Sequence, residues 1–277
     1  MAIQMSQRVM ESYRFPHFPR LHLLIRSHRL RQAWRDAIAA RMPATRPTSA
    51  AACSVTRSFD DCAADYRERG WAYFENVFEP EFHARLVREW PLACYFRPVA
   101  NIYKSYDSGF HWRHTEPFSG AVRKNPVIEA AYSYLASPEF CGRVTAMCGD
   151  GVPRTLLTTL LTRAYAGSSV IPHRDTVALR PESRHHVNTI IFVTGTGGKQ
   201  AGGLAIMNDP DYRDVVFEPT RLTNASLFYR IGDPFFHGFA PMRHGTFRWT
   251  INAQYAASDY AEARLRKRAG DVTPDFD

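Results

Sequence analysis

Across the C-terminal half of the chain, apolar and β-branched residues gather in short runs separated by Gly, Pro and Asp. They predict strands over residues 155–166, 187–194, 203–208, 226–231 and 246–255. The N-terminal half follows a helical period. Helices are predicted over residues 21–40, over 59–69, from Pro80 through Trp90, and around Val127, Ala130, Ala131, Tyr134 and Leu135, with helical structure ending near Gly149. The aromatic run 71–78 interrupts these helices as a strand. Residues 103–118 carry aromatics and His111 and His114 without regular period, and suit either a cover over the mouth of a site or packing on the strands. Residues 258–269 predict a closing helix and 271–277 a loose tail. Helices first and strands second argue for an α+β chain whose strands form a sandwich or jelly roll.

Residues 1–52 read as a basic helical extension broken by Pro16, Pro19, Pro43 and Pro47. Residues 53–277 then form the main domain with its buttressing helices. In the predicted helix over 21–40, Leu21, Leu24 and Ile25 project to one side, and Leu23, Leu30, Trp34 and Ile38 to the other. That split favours packing on protein over lying on a membrane surface.

Composition sharpens this picture. Of 277 residues, 45% are hydrophobic and 22% charged, and no uncharged apolar run approaches the ~20 residues of a spanning helix. The formal charge of +8 comes mostly from Arg and suits an anionic partner. The basic residues are scattered, and no helix-turn-helix, zinc-finger or RNP pattern accompanies them, so no nucleic acid is expected. Five cysteines without C-x-x-C or zinc-finger spacing suggest neither a disulfide framework nor structural zinc, which fits a reducing, cytoplasmic location. Nothing in these patterns specifies an oligomeric state.

Candidate chemistry begins at Ile171-Pro-His-Arg-Asp175. On a strand, residues two apart share a face, so His173 and Asp175 can share a metal. H-x-D by itself equally fits a polar loop. Downstream, Phe235-Phe-His-Gly-Phe239 presents His237 in an apolar run. With His173 and Asp175 it would complete a two-histidine, one-carboxylate facial triad for iron(II). His244 also precedes Arg248, but it sits in the Pro- and Gly-bearing turn 241–245. From His237 to Arg248 there are eleven residues, enough to leave the metal, turn and return. From His244 there are four. Arg248 can grip a carboxylate bidentately, with Thr250 on the same strand face as a hydroxyl donor.

The ordered set H-x-D, Gly202-Gly-Leu204, a distal His and Arg248-x-Thr250 resembles the iron(II)/2-oxoglutarate-dependent dioxygenase superfamily over about residues 71–255, with a layout similar to its prolyl-hydroxylase-like branch. Gly70–Phe78 resembles the strand ahead of the jelly roll in those enzymes, and Tyr165-Ala-Gly-Ser168 their lead-in to the metal motif. The resemblance implies a double-stranded β-helix, Fe(II) and 2-oxoglutarate as cofactors, and His173, Asp175 and His237 as ligands. Arg248 would pair with the cosubstrate's C5-carboxylate, and Tyr165 would hydrogen-bond the cosubstrate, although a strand tyrosine equally serves core packing. Decarboxylation of 2-oxoglutarate to succinate would be coupled to oxidation of a substrate C–H bond. Related halogenases replace the carboxylate ligand with a small residue, so an intact Asp175 favours hydroxylation. The expected substrate is a small molecule or biosynthetic intermediate, with a peptidyl side chain second. A non-catalytic cupin-like metal protein is the rival that would leave Arg248 without a purpose.

Thr159, Arg163, Asn188, Thr189 and Asn252 lie on predicted strands, as pocket lining or as ordinary sheet residues. His185 and His186 are expected to be solvated, and the charged stretch 262–268 to be a solvated helix face.

Overall fold

A computed structural model describes residues 60–100, 104–113, 122, 125–175, 185–231 and 235–266. The extension 1–52, its helix over 21–40, His114 and the tail lie outside the described residues.

Three helices begin where the sequence places Pro at the first helical turn: α2 (Pro80–Arg88), α3 (Pro126–Leu135) and α4 (Pro138–Cys148), following α1 (Asp60–Arg69). Proline suits that position because its missing N–H would be unpaired there anyway. Asn125 and Ser137 cap α3 and α4 by accepting from the backbone N–H of Ile128 and Phe140, at 3.3 and 3.2 Å. Gly149, at φ 71°, ends α4 in the left-handed conformation that glycine adopts without Cβ strain. A last helix, α5, spans Ser258–Arg266.

The strands are β1 (Trp71–Glu75), β2 (Arg97–Ala100), β3 (Lys104–Arg113), β4 (Arg154–Tyr165), β5 (Ser169–His173), β6 (Val187–Gly195), β7 (Ala205–Met207), β8 (Val215–Phe217), β9 (Ala225–Arg230), β10 (Phe236–Phe239) and β11 (Phe247–Ala257). They form one antiparallel curled sheet in the order β1-β9-β6-β11-β4-β3-β5-β10-β7-β8, with β2 on β3. The fold is the expected α+β double-stranded β-helix. One wall is the long β1-β9-β6-β11-β4 sheet, and the other is the short β5-β10-β7-β8 sheet. β3 joins them: Lys104 and Ser105 pair with β5, whereas Asp107–Gly109, Trp112 and Arg113 pair with β4. At the other edge, β1 meets β8 through rings. Trp71 stacks on Phe217 at 4.4 Å, and Tyr73 lies 5.3 Å from Phe217.

Strand alternation divides the apolar interior in two. Ile251, Ala253 and Tyr255 of β11 face the helices, in one core with Phe74, Phe82, Leu135 and Phe140. Inside the barrel, Phe192, Leu204, Leu227, Tyr229 and Phe239 form the second core.

β3 corrects the reading of 103–118 as an irregular segment. Its period is broken by a register shift between Gly109 and Trp112 and by Phe110 at φ 53°, whose carbonyl accepts from the Tyr132 hydroxyl at 2.8 Å. Gly109 also packs directly on the Tyr95 carbonyl, where a Cβ would come within 2.7 Å. These tertiary contacts, which carry no local signature, hold the strand.

Asn224 joins the barrel to the segment leading into α2. Its amide accepts from the Phe78 N–H and donates to the Phe78 carbonyl, both at 2.9 Å, while its own backbone sits at φ 49°. Asn224→Ala loses both bonds and strains the backbone, so it should destabilise the fold by about 2–3 kcal/mol. A urea titration checks this; a change below ~0.5 kcal/mol would show that the bridge contributes little.

Candidate metal centre

β5 and β10 pair with His173 opposite His237, which brings the two imidazoles to a centroid separation of 4.4 Å. Asp175 lies two residues past His173, just beyond the end of β5. Its Oδ1 is 3.7 Å from His173 Nε2, and its Oδ2 is 3.7 Å from His237 Nε2. One ligand atom from each of the three falls within 4.8 Å of the others, close enough to share one ion. His173 Nδ1 hydrogen-bonds the Ile171 carbonyl at 2.8 Å, which leaves its Nε2 lone pair for a metal. Burial, opposed by the Asp175 charge and reinforced by His173 and Lys104, pulls His237 down to about 4. Its imidazole is therefore neutral near pH 7, the protonation state that ligates.

Arg248 lies on the barrel-facing side of β11 and is 4% exposed. Its guanidinium stands 4.1 Å over the Phe239 ring and 5.8 Å from that of Phe192, and its NH1 donates to the Gly202 carbonyl. Gly202 packs so closely that a Cβ would meet Arg248 Cδ at 3.2 Å. Nε has no hydrogen-bond partner, and no carboxylate among the described residues pairs with the cation. Burial lowers its pKa to about 10, with Tyr106 and Tyr229 opposing. A desolvated cation without a counter-charge is costly, and an incoming carboxylate would relieve that cost. Thr250 shares this face, 2.5 Å from the Thr162 hydroxyl.

Tyr165 does not join this group. It pairs in register with Phe247, whereas Arg248 pairs with Ala164, so strand parity puts Tyr165 on the opposite face. There it lies 5.2 Å from the Arg163 guanidinium, which also contacts Phe96 and Trp249. The tyrosines that the fold brings to this side are Tyr106 and Tyr229. Tyr229 is buried, with its ring 4.9 Å from that of His237 and its pKa raised by burial and by the Asp175 charge. Asn188 donates to Asp175 Oδ2 at 2.7 Å. Asn252, in line with Arg248 and Thr250, donates to the Thr162 hydroxyl at 3.4 Å. Parity on the predicted strands was the available signal for Tyr229 and for Gln254. Thr159 and Thr189 are buried on the helix-facing side. His244 is exposed in its turn, His185 contacts Asp150 at 3.2 Å, and His186 is buried beside Tyr260 rather than solvated.

No family model and no curated protein sequence matches the chain. Solved structures do. A prolyl hydroxylase from Trichoplax adhaerens, in complex with a hypoxia-inducible-factor peptide, aligns at TM-score 0.56 and 13% identity over 77% of this chain and 93% of its own. An oxidoreductase of the 2OG-Fe(II) oxygenase family from Burkholderia pseudomallei aligns at 0.53 and 18%, over 73% and 93%. The non-heme α-ketoglutarate-dependent epimerase SnoN from nogalamycin biosynthesis aligns at 0.53 and 14%, over 72% and 83%. The shared feature is the fold.

Two predictions test the centre. His237→Ala should abolish binding of a divalent ion, measured by Co(II) titration, and His244→Ala should leave it within a few-fold; the reverse pattern would move the centre to the turn. For pH, folded His237 binds its proton only near 4, whereas an unfolded histidine does so near 6.5. Between those values the unfolded state holds more protons, so stability falls as pH drops through the window. In urea titrations of metal-free protein, His237→Gln should flatten that slope; an unchanged slope assigns the dependence elsewhere.

Proposed function

We propose that the chain is an iron(II)- and 2-oxoglutarate-dependent oxygenase that hydroxylates a small molecule. The observation that carries this reading is the pairing of two features in one barrel: a two-histidine, one-carboxylate cluster and a buried arginine with no carboxylate partner among the described residues. The first alone would suit any cupin-like metal protein. The second, a buried cation, would have its charge compensated by an anion entering the barrel.

The donor set fits iron(II). Two imidazoles and one carboxylate would leave room on iron(II) for a chelating cosubstrate. Bound there, iron and 2-oxoglutarate would supply the oxidising chemistry, coupled to release of succinate and carbon dioxide. The chain's own work is binding and exclusion. His173 and His237 would hold the ion from paired strands, and Asp175 would supply the one carboxylate of the cluster. Arg248 would receive the distal carboxylate of 2-oxoglutarate, with Thr250 beside it. Phe192, Phe239 and Leu204 keep that end dry, which strengthens the ionic contact.

An anionic group on the substrate is supported by the excess of basic residues and by Lys104. This lysine pairs with the barrel-lining Val170, and its charge reaches His237.

The test is succinate release on addition of Fe(II) and 2-oxoglutarate, first without and then with a panel of small carboxylates and phosphates. Turnover is expected in the parent and absent in Asp175→Ala. Arg248→Ala should raise the 2-oxoglutarate requirement about 10- to 100-fold while metal affinity stays within a few-fold, because a charge-assisted pair is worth about 1.5–3 kcal/mol. No 2-oxoglutarate consumption by iron-loaded parent protein under any condition would reject the reading in favour of a binding protein.

A further inference from the structure

Asn188 on β6 and Gln254 on β11 are cross-strand partners on the barrel-facing side. The Asn188 amide nitrogen carries two hydrogens. One goes to Asp175 Oδ2 at 2.7 Å and the other to the Tyr229 hydroxyl at 3.2 Å. Gln254 Nε2 donates to Asn188 Oδ1 at 3.2 Å. Every polar atom of the Asn188 side chain is thereby used, and only one orientation of its amide satisfies all three contacts. Turned by half a rotation, Asn188 would set its carbonyl against the Asp175 carboxylate, two acceptors facing each other. It would also set its NH2 against that of Gln254, two donors facing each other.

We propose that Asn188, held by Gln254, is a positioning residue that occupies Asp175 Oδ2 and presents Oδ1 alone to the metal. This inference rests on the metal reading above. Its consequence is a coordination count. Two imidazoles and a single carboxylate oxygen fill three positions of an octahedron and leave three. A carboxylate gripping through both oxygens would fill a fourth and leave two, which a chelating cosubstrate would exhaust. Asp175 needs such a hold because it lies past the end of β5, where no strand pairing fixes its backbone. Gln254 contacts neither Asp175 nor the histidines through a hydrogen bond and acts through Asn188.

The experiment is a Co(II) titration of full-length metal-free protein. It follows both affinity and the visible absorption of the bound ion, which reports coordination number. Parent, Asn188→Leu, Gln254→Met and the double variant are compared, with His173→Ala as the control that should lose binding. Each single substitution removes donors at nearly constant volume. Asn188→Leu is expected to weaken Co(II) about 10- to 100-fold, the usual cost of losing a partner that orients a ligand, and to alter its absorption. Gln254→Met should do the same to a smaller degree. The double variant should be no worse than Asn188→Leu alone, because Gln254 has no separate route to the ion. Should Asn188→Leu fail to fold, the affinity and spectrum of Gln254→Met decide alone. Affinities within twofold of the parent with an unchanged spectrum would overturn the proposal, as would losses that add in the double variant. A parent that binds no Co(II) at all would instead remove the metal reading, and this inference with it.

Discussion

A strand sends alternate side chains to opposite faces, and β11 shows how much of this molecule rests on that rule. Trp249, Ile251, Ala253 and Tyr255 pack toward the helices, while Arg248, Thr250, Asn252 and Gln254 point into the barrel. One strand thus anchors the core and supplies the polar lining, and the two tasks cannot be separated. A slip of one residue would bury Trp249 and Tyr255 among the ligands and push a guanidinium into the packed helices. The helices α3 and α4, through Leu135 and Phe140, therefore hold the register of the site although they never touch it.

Inside the barrel the electrostatics follow from desolvation. Burial keeps His237 neutral and so able to ligate, and it leaves Arg248 as a cation with rings above it and no counter-charge among the described residues. Only the second is costly for the fold, since a buried imidazole is neutral near pH 7 without penalty. Packing is tight where strands meet: Gly202 lies against Arg248, Phe217 against Trp71 and Tyr73, and Gly203 so near the Pro219 carbonyl that no side chain would fit. Small residues and stacked rings close the seams where hydrogen-bonded pairing ends. An ion and an anion that bind only the folded barrel would add their binding free energy to its stability.

By itself the sequence determined elements whose cause is local: the helix opened by Pro80, the helical stretch that ends near Gly149, and most strands after residue 154 though not β8; it also offered His173, Asp175, His237 and Arg248 as candidates by their spacing. The turn around His244 was legible for the same reason, since Pro241 and Gly245 mark it chemically. Tertiary structure alone decided which neighbours meet. β3 exists because β4 and β5 accept it, despite a bulge that erases its period. Alternation along β4 and β9 was legible, but which face of each turns inward, with Tyr165 outside and Tyr229 inside, is set by the pairing of β4 with β11 and of β9 with β6. Asn188 reaches Asp175, and Gln254 reaches Asn188, across 13 and 66 residues of chain. Local propensity acts over a few residues and leaves its mark in composition. Register and closure are settled by packing between segments far apart in sequence, and no short stretch of sequence records them.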